Sequence, residues 1–241
     1  MIFEKLCLEA FDERNISKDI HEMNDHIKSL LVNAPPSHEI PFEVLQEIRR
    51  KGGGLLESQP YSEKAENRLI NYDNKKVTIR IFNHDSPNFV YLHIHGGGHC
   101  IGAADMQDQS LEKISNDLNC AVVSVEYRLA PVNPYPAAPD DCEAAAIWLI
   151  ENSKSQFNTE KIVIGGESAG ANLSAVTLQR LKSKGLLDNV KGANFIYGSY
   201  DARLTPSTLR QQGSDEIFLL SYEMIRKFRD SYFQGTLDLS L

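Results

Sequence analysis

Ser168 lies in Gly166-Glu167-Ser168-Ala169-Gly170, and a glycine run, His95-Gly96-Gly97-Gly98, ends 70 residues before it. A serine hydroxyl attacks an acyl carbon only when something removes its proton and something else stabilises the developing oxyanion. The two motifs divide these tasks. In a G-x-S-x-G turn the glycines let a strand pass sharply into a helix with the serine at the bend. Three consecutive glycines after a strand let backbone N–H groups point at a ligand, which would supply the other half of an oxyanion hole. Either motif alone has a plain structural alternative: a helix-capping serine in a glycine-rich turn, or a flexible loop. Together, each after a strand, they are far more specific.

The general base is the missing element. In this arrangement the acid and the histidine follow the serine, yet His21, His26, His38, His84, His93, His95 and His99 all precede Ser168. Loss of the histidine from a serine triad costs about 10⁶ in turnover and leaves roughly 10³–10⁴ over water. The expectation is very weak activity for this chain. His93, His95 and His99 form H-x-H-x-x-x-H, with two of them on one strand face. A metal site there needs a further ligand and ignores the serine turn, so no metal and no cofactor are expected.

The surrounding pattern supplies elements to hold these residues. Arg68–Tyr72 and Val77–Phe82 read as a hairpin around Asp73-Asn74. Strands are expected at Phe89–His95, Ala121–Val125, Lys161–Ile164 and Ala193–Tyr197. Helices are expected at Asp105–Leu118, Asp140–Ile150, Ser168–Leu181 and Ser221–Phe233. Runs such as Ile162-Val163-Ile164 suit strands buried on both faces, and the alternation predicts an α/β fold with a mostly parallel sheet and flanking helices. Residues 1–60 read as a separate helical segment. Ile20, Met23, Ile27 and Leu30 form one apolar stripe, Pro35-Pro36 stops that helix, and Pro41 opens a second one with Phe42, Leu45 and Ile48 on one face. Gly52-Gly53-Gly54 would make a joint, so this segment is either simple packing or a lid.

Composition narrows the partners. With 241 residues, 41% apolar and 24% charged, the chain suits one globular domain. A net charge of −8 argues against nucleic acid or an anionic membrane surface. There is no leader-like N-terminus and no apolar run long enough to span a membrane. Cys7, Cys100, Cys120 and Cys142 are widely spaced, which suits reduced thiols and a cytoplasmic protein.

Several further blocks carry a resemblance. They are Ser124 to Pro131 (Ser-Val-Glu-Tyr-Arg-Leu-Ala-Pro), Pro134 to Asp141 (Pro-Tyr-Pro-Ala-Ala-Pro-Asp-Asp) and Trp148-Leu149. With the two glycine motifs they resemble the hormone-sensitive-lipase-like branch of the α/β hydrolases, a group of carboxylesterases and acetyl-hydrolases. The likeness runs from about Phe89 to Arg210. It implies an α/β-hydrolase fold, Ser168 as nucleophile, and Gly97, Gly98 and Ala169 as oxyanion donors. His95, Gly96, Gly166, Glu167 and Gly170 would support them. Tyr127, Arg128, Asp140 and Asp141 would be structural. Residues 1–60, with part of the stretch after Tyr197, would cap the site, and residues 61–241 would form the hydrolase domain.

The resemblance also implies two more strands, whose loops carry the triad acid and histidine. Neither is found here. The acids after Ser168 (Asp188, Asp201, Asp215, Glu216, Glu223, Asp230, Asp238) lack the family's Asp-Pro-Leu context. The domain is therefore expected to be C-terminally truncated and to lack the last strands. Its exposed edge at Ala193–Tyr197 would be open to self-association. The expected function is hydrolysis of small esters, impaired in this chain. Alternatives are a non-catalytic ligand binder, as in the related plant gibberellin receptors, or an interaction protein completed by a partner.

Overall fold

The computed structural model describes residues 12, 15–32, 34–52, 60–213 and 220–236. Seven α-helices and six strands are described, and the strands form one mixed sheet in the order β1-β2-β4-β3-β5-β6. The hairpin forms as expected: β1 (Glu66–Tyr72) pairs antiparallel with β2 (Lys75–Phe82). Asp73 and Asn74 both take positive φ, 48° and 60°, which matches the twist of a two-residue hairpin turn. β3 (Val90–Ile94), β4 (Ala121–Glu126), β5 (Ile162–Glu167) and β6 (Val190–Ile196) are mutually parallel, while β2 meets β4 antiparallel.

Helices cover both faces. α4 (Ala137–Phe157) and α5 (Ala169–Ser183) close a large core around Leu92, Ile94, Val123, Val125 and Ile164. α3 (Asp108–Leu118) closes a smaller one of Phe82, Tyr91, Leu111, Cys120 and Val122. Every residue of β3 is buried, His93 among them, as suits a strand covered on both faces. Arg80, 1% exposed, crosses from β2 to α3: its Nε donates to Asp108 at 2.6 Å, and the rest of its guanidinium reaches Tyr61, Asn67 and Ser62. A buried cation is tolerable only when its donors are satisfied in this way.

Several boundaries differ from the sequence expectation, β6 starting at Val190 and α4 at Ala137 among them, and three have a visible cause. α3 starts at Asp108 because residues 103–107 are committed elsewhere: Ala104 N–H donates to Glu126 at 2.6 Å, and Asp105 pairs with Arg50 at 3.0 Å. α4 runs on to Phe157, whose buried ring anchors the last turn before Asn158 caps it in the left-handed conformation. Pro41 caps its helix instead of opening the first turn.

The N-terminal segment contains α1 (Lys18–Val32) and α2 (Phe42–Lys51). The expected stripe on α1 is present, but no described residue covers it: Ile20, Met23 and Leu30 remain 42–57% exposed. α2 is anchored. Phe42 stacks on Phe228 of a C-terminal helix, with centroids 5.6 Å apart. Lys227 of the same helix donates to Ile40 O at 2.6 Å. Gly52 ends α2 with φ 73°, and the rest of the expected glycine joint lies outside the described residues.

Candidate active site

β3 and β5 are neighbours, and the chain leaves β3 towards β4 on one side before β5 is laid down on the other. Such a reversal opens a crevice at the carboxyl ends of the strands. Both motifs emerge there. In the register Ile94 lies opposite Gly166, so the glycine run and the serine turn leave the sheet side by side. A β-carbon on Gly96 would lie 3.3 Å from the Ser168 β-carbon and 2.7 Å from Glu167 O. One on Gly166 or Gly170 would meet Ile94 O at 1.9 Å. These positions must be glycine because backbone already fills the space.

Ser168 sits between β5 and α5 with φ 55° and ψ −119°, a region that non-glycine residues avoid. Its N–H donates to Ile196 O at 2.9 Å, which holds the turn against β6. Its hydroxyl forms no capping bond on α5, so the capping alternative does not describe this serine. The expected helix start therefore moves by one residue, to Ala169. Among the described residues no acceptor is found for the N–H groups of Gly97, Gly98 or Ala169. Gly97 and Gly98 have φ of 128° and 59°.

Glu167 ties the two motifs together. One carboxylate oxygen accepts Gly96 N–H at 2.6 Å and a bond from Gln107, and the other lies 3.1 Å from His93 Nε2. His93 Nδ1 continues to Ser124 Oγ at 3.0 Å. Burial pushes the Glu167 pKa up, but the His93 bond and charge and the Gly96 and Gln107 donors outweigh it and hold the carboxyl at about 2.

The three histidines considered as metal ligands go to three different environments. His93 belongs to the Glu167 network. His95 stacks on Tyr127 at 4.2 Å, and Tyr127 OH donates to His95 O at 2.8 Å. His99 stacks on Tyr232 at 3.9 Å. Burial pushes His95 and His99 down to about 4, so both are neutral at pH 7. None hydrogen-bonds to Ser168, and no described group of three or more metal-binding side chains comes together.

The supporting blocks fold back beneath the glycine run. Arg128 grips Asp141 through its backbone N–H, Nε and Nη2, at 2.8–2.9 Å. Asp140 pairs with Arg180 at 2.8 Å. Of the acids after Ser168, Asp201 is held by Arg203 and Asp230 by Arg229. Beyond Tyr197 come the short α6 (Pro206–Leu209) and α7 (Tyr222–Phe233). Ser221 Oγ caps α7 by accepting Met224 N–H at 3.2 Å. α7 lies over the glycine run, since a β-carbon on Gly98 would strike the Phe228 ring at 2.4 Å.

Residues 91–240 match the model of a family described as having the alpha/beta hydrolase fold. The chain belongs to the α/β-hydrolase family. An arylesterase of Saccharolobus solfataricus is 34% identical over 160 residues, covering 63% of this chain and 52% of that protein. Carboxylesterase NlhH of Mycobacterium tuberculosis is 36% identical over 129 residues, 51% of this chain and 40% of that one. The chain thus spans about half or less of the length of these relatives. A hyperthermophilic esterase from Pyrobaculum calidifontis superposes with a TM-score of 0.76 at 23% identity, over 91% of this chain and 71% of that chain. That likeness supports the α/β-hydrolase fold.

Sequence reasoning missed two contributors. Gln107 reaches Glu167 from the turn before α3, and Gln46 of α2 clasps Gly102 through both amide atoms, at 2.6 and 2.8 Å. Neither lies in a motif, and only the fold brings them to the glycine run.

Proposed function

We propose that this α/β-hydrolase site performs acyl transfer from small carboxylic esters. Ser168 is the nucleophile, and the N–H groups of Gly97, Gly98 and Ala169 receive the oxyanion. The observation that carries this reading is the Ser168 turn: a strained residue at a helix N-terminus, with its hydroxyl uncommitted, packed against a glycine loop with unpaired N–H groups. Attack would place the carbonyl carbon on Ser168 Oγ and its negative oxygen on those donors. The alcohol leaves with a proton, and water then releases the acid.

The proton transfer is the weak step in these 241 residues. No histidine follows Ser168, and among the described residues no histidine nitrogen bonds to its Oγ. The 241-residue chain is therefore proposed to be slow, acting through oxyanion stabilisation and positioning. α2 and α7 are proposed to serve as the cap. β6 is proposed to self-associate, since Phe195, Ile196 and Tyr197 are 42%, 41% and 77% exposed. No helix among the described residues is long and apolar enough to cross a membrane, and Cys100, Cys120 and Cys142 are unpaired thiols. Both are compatible with a cytoplasmic location, which we propose.

The test is turnover of a short p-nitrophenyl ester beside Ser168→Ala. A rate that vanishes in the variant supports the assignment; equal rates in both refute it.

A further inference from the structure

Among the described residues, Arg49 is the cation of the α2 C-terminal turn whose side chain has no partner. Its neighbours Arg50 and Lys51 pair with Asp105 and Glu47. The Arg49 guanidinium makes no hydrogen bond or ion pair among the described residues, although the residue is only partly exposed. Its position is fixed by its helix. Phe42, Gln46 and Arg49 fall on one α2 face, at i, i+4 and i+7. Phe42 is stacked on Phe228, and Gln46 is bonded to Gly102. Arg49 then extends this face to the glycine run, where Nη1 lies 3.2 Å from the position a β-carbon on Gly97 would take.

The charge is felt by several groups around the glycine run. Burial dominates the titration of His95, Tyr127 and Tyr197, and the Arg49 charge acts on all three, pulling each downward. His95 and Tyr127 belong to the glycine run and its support, and Tyr197 follows Ile196, which holds the Ser168 turn. The nearby acids are already engaged: Asp105 by Arg50, Glu126 by Ala104 N–H, and Glu167 by Gly96, Gln107 and His93. A partly desolvated guanidinium without a counter-charge is costly, and its planar fork matches a carboxylate.

We propose that Arg49 binds a carboxylate carried by the substrate, so that the preferred ester is a hemiester of a dicarboxylic acid. This rests on Ser168 as the reacting group and adds the substrate class. It also accounts for a cation beside the reacting groups in a chain of net charge −8, whose overall field disfavours anionic ligands.

The test is equilibrium binding, which needs no turnover. Monomethyl succinate and the neutral, similarly sized methyl valerate would be titrated calorimetrically into the 241-residue chain carrying Ser168→Ala. The same titrations would follow with Arg49→Gln and with Arg49→Lys added. The expected result is an affinity for the anion about tenfold or more above that for the neutral ester, the scale of one charge-assisted contact. Arg49→Gln should abolish that preference and leave methyl valerate unchanged, while Arg49→Lys should keep part of it. An unchanged anion affinity in Arg49→Gln, or an equal loss for both esters, overturns the proposal. If Arg49→Gln does not fold, the protein with Arg49 intact decides: a preference that shrinks in ~0.5 M salt supports it, and no preference overturns it. Phosphonate labelling of Ser168 in the chain with its serine intact is read separately. An Arg49-dependent anion site without labelling would remove the esterase reading and leave Arg49 as a carboxylate-binding group only, and labelling without anion preference would remove the Arg49 proposal alone.

Discussion

The Glu167 carboxylate accepts the Gly96 backbone N–H at 2.6 Å, which joins the residue before the candidate nucleophile to the start of the candidate oxyanion loop. Glu167→Ala should loosen that loop and lower stability by about 3 kcal/mol, because buried charged hydrogen bonds are lost. Glu167→Gln should cost less. The Glu167 pKa is depressed to about 2 in the folded chain, so its contribution is present above about 4.5 and lost as pH falls towards 2. Urea denaturation between pH 5 and 3 should show that loss in the parent chain and not in Glu167→Gln. Parallel curves for the two would contradict the coupling.

His95 and His99 act in a higher pH window. Burial holds both at about 4 in the folded chain, against 6.5 for an ordinary histidine. Between those values the unfolded chain takes up protons that the folded chain refuses, so stability should fall as pH drops from 6.5 to 4. Each histidine contributes on the order of 2 kcal/mol to that loss. His99→Phe keeps a ring against Tyr232 and removes the titration, so the melting temperature of that variant should depend less on pH over this range.

Glycine substitutions should separate backbone contact from open space. A β-carbon on Gly170 would meet Ile94 O at 1.9 Å, so Gly170→Ala should cost about 3 kcal/mol or leave the chain insoluble. Gly185 has a φ of 71° and nothing within 4 Å of an added β-carbon, so Gly185→Ala should cost only about 1 kcal/mol. Chemical denaturation of the two variants makes the comparison.

If the β6 edge self-associates, charge should disperse it. Phe195 and Ile196 end a strand with no described neighbour on its outer side. Phe195→Lys should shift the sedimentation profile of the 241-residue chain towards smaller species. An unchanged profile would place any association elsewhere.

Much of this was legible because short-range rules decided it. Asp73-Asn74 announced a hairpin, Ile162-Val163-Ile164 a strand buried on both faces, and the glycines around Ser168 a turn too tight for side chains. What could not be read depended on distant contacts. Gln107 and Gln46 reach the glycine run across the fold, and Arg49 has meaning only once Phe42 has docked on Phe228. The α1 stripe taught the converse, since a clear apolar face at helical spacing found no cover among the described residues.

The most direct test of the central claim is labelling of the folded 241-residue chain with a fluorophosphonate, with the modified peptide located by mass spectrometry. The account predicts slow, one-to-one modification at Ser168, absent in Ser168→Ala and in the urea-unfolded chain. A folded chain in which Ser168 stays unmodified, or reacts no faster than when unfolded, would contradict it.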